Sequence, residues 1–363
     1  MSSNDYDPES HKSGGGGGRW HHELHPNVER HSPHSALRFG SFIHPTHVTL
    51  VAPGSQKDLQ WTSRDHRKHR HLATDARTGR PRRQVGTLHK LANMRRIEYW
   101  NISWWVSIAF TVGSIVWVIN GFIAFLPFVN THVEKDDVGG GWTAWLGATI
   151  FEFGALFGLW EAWNRDDAAD FGWSVNRLMH GKSAEHDATE KNTSDDTPGS
   201  DSETPSRPPK KKWIWFSTDG KYFHELGFLA AFVQYWAATI FWISGFTAIP
   251  TIQTAIMPKQ GLLDGVFWTP QVVGGTGFII ASTIMMIETQ RKWYIPAPTS
   301  LGWHVGFWNL IGGIGFMLCG AFGYALNSST GIAYQSSCST FWGGWAFLIG
   351  SVIQWYEAVN PVE

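Results

Sequence analysis

The chain has 363 residues with 29 Lys+Arg against 30 Asp+Glu, a net charge of −1 that by itself points to no nucleic-acid partner and no acidic tail. Only 16% of residues are charged, against about 25% in an ordinary soluble domain, while Trp reaches 22 copies and Gly 39, an excess typical of membrane-embedded chains. Two cysteines exclude a disulfide framework, a four-cysteine zinc site and an iron–sulfur ligand set.

Residues 1–97 hold 12 of the 17 histidines, 16 Lys+Arg and eight Asp+Glu, with the run Gly14 to Gly18 among them. Such a segment buries too little apolar surface to offset chain entropy, so a disordered, basic, His-rich cytoplasmic tail is expected. Its start, Met1-Ser2-Ser3-Asn4, has neither the basic residues nor the apolar core of a cleavable signal peptide.

From Ile102 onward, six stretches are long and apolar enough to cross a hydrocarbon core of about 30 Å: 102–129, 142–164, 225–249, 265–289, 301–325 and 339–359. No Lys or Arg falls inside any of them. The expected fold class is all-α, a polytopic membrane protein with six transmembrane helices arranged as three two-helix hairpins. The hairpins occupy 98–164, 224–289 and 290–363, the last with a short C-terminal end, and 165–223 forms a disordered loop. Sixteen cations in the tail, nine in 165–223, and Arg291 and Lys292 face Lys135 and Lys259 across the spans. The excess of positive charge on one side places both termini in the cytoplasm. Long spans suit the thicker plasma membrane.

The spans share an internal pattern. Counted back from the last acidic residue of each even span, Gly, Phe and a small pair recur: Gly147, Phe151, Gly154, Ala155 and Glu161; Gly274, Phe278, Ala281, Ser282 and Glu288; Gly343, Phe347, Gly350, Ser351 and Glu357. These offsets lie along one helical stripe. The odd spans carry Gly113, Trp117 and Gly121, then Ala237, Phe241 and Gly245, then Gly312, Phe316 and Gly320. Small residues four apart let membrane helices approach closely. The reading is one hairpin present three times about a pseudo-threefold axis, with packing surfaces at Gly113, Gly121, Gly147, Gly154, Gly245, Gly274, Gly312, Gly320, Gly343 and Gly350.

Glu152, near the middle of the second span, is the sharpest chemical feature, because Ile279 and Leu348 stand at the equivalent positions. An ionised carboxylate there costs several kcal/mol, so Glu152 is either a protonatable proton or cation site or a neutral group bonded to Asn120, Gln234, Asn309 or His304. Glu161, Glu288 and Glu357 sit at helix ends where a carboxylate opposes the helix dipole. Two readings of them stand: pairing with Arg165, Arg291 or Lys292, or an acidic ring at a cytoplasmic mouth.

The clusters His21-His22-x-x-His25, His31-x-x-His34, His44-x-x-His47 and His66-x-x-His69-x-His71 lack cysteines and a preorganising fold, so no metal or other cofactor is assigned to them. Arg64 to His71 and Arg80 to Arg83 read instead as a basic surface for anionic lipid headgroups. Lys210, Lys211 and Lys212 beside Trp213 and Trp215 read the same way, with Ser200 and Ser202 as phosphorylation sites that weaken the contact. Asn327 begins a glycosylation sequon in an external loop. No P-loop, GxSxG or HExxH is present, so the chain is not read as an enzyme.

The stretch Arg95-Arg96-Ile97-Glu98-Tyr99-Trp100-Asn101, leading into a Trp-rich span, resembles the multi-pass integral membrane proteins of filamentous fungi over 95–360. That resemblance implies a membrane location and no particular activity. Three two-helix repeats are also a property of mitochondrial carriers, but the Pro-x-Asp/Glu-x-x-Lys/Arg signature is missing from the odd spans. Two functional readings follow. One is a proton- or cation-coupled transporter or channel using Glu152. The other is a non-transporting organiser that anchors the tail and the 165–223 loop at the membrane. A lipid-modifying enzyme is a distant third.

Overall fold

A computed structural model of the chain describes residues 30–34, 42–51, 59–68, 86–164 and 213–360. The expectations for His21, His22, His25, His69, His71, Arg80 to Arg83, Arg165, Ser200, Ser202 and Lys210 to Lys212 lie outside these residues.

The described residues begin with a three-stranded antiparallel sheet, β1 Arg30–His34, β2 His47–Val51 and β3 Leu59–Thr62, in the order β1-β2-β3. Arg30 pairs with Val51, and His47 pairs with Thr62 on the other side. Two short helices follow, α1 Ser63–Arg67 and α2 Thr87–Asn93. These elements lie within the expected tail 1–97, the rest of which falls outside the described residues. Polar composition leaves the segment no core of its own, but the bundle supplies the partners.

Six long helices make the body: α3 Ile102–Val129, α4 Asp137–Trp163, α5 Leu226–Thr247, α8 Thr269–Thr289, α9 Leu301–Gly323 and α10 Thr330–Val359. Two short helices, α6 Pro250–Ile256 and α7 Gln260–Leu263, lie between α5 and α8. Three of the long helices, α3, α4 and α10, start at side-chain caps written in the sequence. Asn101 accepts a bond from Ser103 N, Asp136 from Gly139 N and Ser329 from Ile332 N.

Each long helix packs against the next in the chain, and α10 closes on α3, so the six form a ring. Among the described residues five helical stretches, those of α3, α4, α5, α9 and Gln260–Thr289, are long and apolar enough to cross a membrane. They make this a multi-pass membrane protein by length and composition. The sixth, α10, has the length at 30 residues, but Ser336, Ser337, Ser339 and Thr340 in its first half lower its apolarity, so five of the six expected spans meet both criteria.

Helix α8 is entered through a π turn, Asp264–Trp268. Pro270 has no N–H to donate back to the carbonyl of Val266, and Thr247 Oγ1 of α5 donates to that oxygen at 3.0 Å instead. The proline thereby ties the second hairpin together at this end.

The ring is filled, not hollow. Trp117, Phe241 and Phe316 from the odd helices touch one another with centroids 5.6, 4.8 and 5.3 Å apart. Phe151, Phe278 and Phe347 from the even helices form a second triangle at 6.5, 5.4 and 5.9 Å. All six are buried. The small residues of the sequence pattern make room for them within each hairpin: a Cβ on Gly312 would stand 2.5 Å from Phe347, one on Gly113 2.6 Å from Phe151, and one on Gly274 2.6 Å from Phe241. Gly147 and Gly343 likewise face Trp117 and Phe316. Gly121, Gly154, Gly245, Gly320 and Gly350 lie against Phe341, Phe110, Ala148, Gln271 and Asn309.

Candidate functional site

Glu161, Glu288 and Glu357 each stand one or two residues before the end of α4, α8 and α10, and all three are buried at the same end of the bundle. Three carboxylates at three helix C-termini repel one another and the helix dipoles. Their partners come from the N-terminal segment. Arg64 and Arg67 of α1 and Lys68 just after it have the i, i+3, i+4 spacing that places them on one side of this turn of chain. Arg64 Nε and Nη2 donate to the two Glu357 oxygens at 3.0 and 2.8 Å. Arg67 also binds its carboxylate, Glu288, with two bonds, from Nη1 and Nη2 at 2.6 and 3.0 Å, and Ser63 Oγ donates to the same carboxylate at 3.1 Å. Lys68 Nζ lies 3.4 Å from Glu161 and 3.9 Å from Glu357.

The odd helices show why the cations reach so deep. Ser103, Gly227 and Gly302 each precede by ten residues the small residue of the odd-span pattern, Gly113, Ala237 and Gly312. Ser103 Oγ donates to Glu161. At the other two positions a side chain is absent, and the guanidinium of Arg67 fills the space at Gly227 while Arg64 fills that at Gly302; even a methyl group on either glycine would overlap them. Two notches thus take two arginines, and a serine closes the third position.

Electrostatics follow from burial and pairing. Burial alone disfavours each charge; Glu357 outweighs it for Arg64, and Glu288 for Arg67, so both guanidinium groups sit above their ordinary pKa. For Lys68 burial wins over Glu161 and Glu357, and its ammonium is pushed below the ordinary value. Behind the cluster lies a cavity of about 40 Å³, lined by Lys68 and, among others, by Gln234, Asn309 and Gln354.

Backbone bonds from the residues just before β2 hold this segment in place. Ser63 N donates to Thr46 O at 2.9 Å, and His44 N to His224 O at 2.8 Å. His224, at the end of the 3-10 turn Gly220–His224, bonds Phe42 O through Nδ1 at 2.6 Å and stacks on His44.

Several residues expected at sites are placed elsewhere. Glu288 and Glu357 meet Arg67 and Arg64, and not the expected Arg291 or Lys292, because the tail supplies cations already aligned on one face. Glu152 lies off the axis between α4 and α5. Its Oε1 accepts from Thr239 Oγ1 at 2.8 Å, and its Oε2 is buried without a hydrogen bond among the described residues. None of its expected partners reaches it: Asn120 bonds Gly140 O and Thr143 Oγ1, His304 bonds Pro298 O, and Gln234 and Asn309 line the cavity. Trp213, expected at a lipid surface, is buried against Ile102, and the chain beside it is held by Asn164, which exchanges bonds with Ile214 at 2.6 and 2.7 Å. Asn327 is exposed in the turn Leu326–Ser328, before α10. Among the described residues no three His, Cys, Asp or Glu side chains gather closely enough to hold a metal ion.

Comparison of the chain with family models, with curated proteins and with solved structures finds no match.

Proposed function

We propose that this chain is a membrane organiser: three helical hairpins about a pseudo-threefold axis that hold the N-terminal region on the cytoplasmic face of a bilayer. The observation that carries this reading is closure of the axis at two levels. The two aromatic triangles fill the middle, and the Arg64, Arg67 and Lys68 cluster caps one end. A path for ions needs polar groups through the middle, and the six packed rings offer a single one, the buried indole N–H of Trp117. The basic tail and Lys210 to Lys212 add attraction to anionic headgroups on the same face.

The test is reconstitution of the full chain in vesicles with pH- and potential-sensitive dyes, beside a cysteine pair at positions 64 and 357 for cross-linking in native membranes. The organiser reading expects background flux and efficient cross-linking. Proton or cation flux that disappears in Glu152→Gln, with folding intact, overturns it.

A transporter is the second reading, and one observation favours it: Glu152 Oε2, inside α4, is buried without a hydrogen bond among the described residues. Carbodiimide labelling of Glu152 that titrates between pH 5 and 9 supports that reading. Absence of labelling in the folded protein removes it.

A further inference from the structure

We propose that the acidic end of the bundle is a receptor site for guanidinium groups, with Arg64 and Arg67 as its resident, exchangeable ligands. The inference rests on the geometry of the cluster and is independent of whether the bundle conducts.

Three observations carry it. First, the two notches at Gly227 and Gly302 are features of the bundle and not of the tail: the glycines lie on α5 and α9, and the carboxylates facing them, Glu288 and Glu357, lie on α8 and α10. Each sets a glycine beside a carboxylate that takes two N–H bonds from one guanidinium, Nε and Nη2 of Arg64 or Nη1 and Nη2 of Arg67, a bidentate geometry a guanidinium satisfies and an ammonium does not. Second, the occupant arrives from outside the bundle, on a helix of five residues that has no core of its own.

Third, the fit is incomplete at the remaining position. The Lys68 ammonium is almost fully buried, lies 3.4 Å from Glu161 without a hydrogen bond among the described residues, and lines the 40 Å³ cavity together with Gln234, Asn309 and Gln354. A built-in structural lock would spend those donors on acceptors. A site that tolerates different occupants leaves such slack behind two well-made slots.

The experiment uses the full chain in detergent or nanodiscs. Arg67→Ala empties the Gly227 notch, and thermal stability is followed while methylguanidinium is added in the low millimolar range, with methylammonium and sodium at equal ionic strength. The proposal expects methylguanidinium to restore at least half of the lost Tm, saturably, and the two control cations to restore little. In Arg67→Ala/Gly227→Ala, where a methyl group fills the notch, that restoration disappears. Equal recovery from all three cations, or recovery that persists with Gly227→Ala, overturns the proposal. Should Arg67→Ala fail to fold, the wild-type chain carries the test. An excess of a synthetic peptide of residues 59–68 then speeds hydrogen exchange of the resident amides 63–68 by severalfold, and the same peptide with Lys at both arginines does not. Unchanged exchange with the arginine peptide overturns it, and an effect equal for both peptides shows simple charge competition and overturns it as well.

Discussion

The middle of the bundle and its tail-side end are both closed, but by different means. In the middle every group that fills the axis belongs to the helices themselves: Trp117, Phe241 and Phe316 against Phe151, Phe278 and Phe347, all but Phe278 beside a glycine of its own hairpin. At the end the helices supply only the need, three buried carboxylates at three C-termini, and a separate segment supplies the answer. A self-filled layer opens only when the bundle unfolds. A borrowed cap can leave while the bundle stays intact, so the two layers should respond to perturbation in separable ways.

The largest effect belongs to the middle. Phe316→Ala removes a fully buried ring that touches both triangles and should cost about 3–5 kcal/mol, the range for large-to-small substitution in packed cores. Unfolding of the purified protein in denaturing detergent should show one earlier transition for the whole bundle, and unchanged stability would remove the aromatic prism as its keystone.

At the end, Arg67→Ala strands Glu288. Breaking a buried pair by removing one partner typically costs about 3–5 kcal/mol, but here the loss is capped, because the segment can lift off and let water reach the carboxylate. The expected result is a smaller drop in stability than for Phe316→Ala, with loss of protection confined to 42–68. Arg67→Ala/Glu288→Gln should recover most of it, and a double-mutant cycle measures the coupling. Global unfolding in Arg67→Ala would mean that the cap is as integral as the middle.

Much of the middle is legible in the sequence. Glycines and aromatics at fixed offsets from Glu161, Glu288 and Glu357 mark which residues face inward, because membrane helices need small residues for close approach and the period of 3.6 fixes the stripe. The cap is far less so. Ser63 to Lys68 is a short polar segment without the periodicity of a stable helix, and on local grounds Arg64 to His71 reads as a surface for lipid. Two signals did bear on it. The six apolar stretches contain no Lys or Arg, so cations for three buried glutamates had to come from outside. Position −10 of the odd pattern is Ser103 in one hairpin but glycine in the other two, Gly227 and Gly302, which leaves two holes that something must fill. Neither signal says which of the tail's sixteen cations would arrive, since that depends on the sheet and on His44 meeting His224, contacts with no trace in local pattern.

A milder perturbation separates charge from packing. Lys68→Met/Glu161→Gln replaces the least well-made pair by neutral groups of similar volume. Buried ion pairs replaced in this way are often neutral in stability or better, so this double variant should differ from wild type by about 1–2 kcal/mol at most, in either direction. A loss as large as that of Arg67→Ala would show that Lys68 is as tightly seated as the arginines.

The smallest effect is one of pH, and its sign is fixed by Lys68. Burial pushes the docked ammonium below its ordinary value of 10.5, against the pull of Glu161 and Glu357. Between the docked and the ordinary value the released segment binds more protons than the docked one, so docking strengthens as pH rises through that window. Below the docked value the lysine is charged in both states, and its contribution to the pH dependence vanishes. Arg64 and Arg67 are held above their ordinary range and stay charged throughout. A spin label at position 60 should therefore become less mobile as the pH is raised from 7 towards 10, and Lys68→Met should flatten the response. A label that becomes more mobile over the same range, with the bundle still folded, would mean that Lys68 contributes through its charge and not against its burial, and that the third position is as well made as the other two.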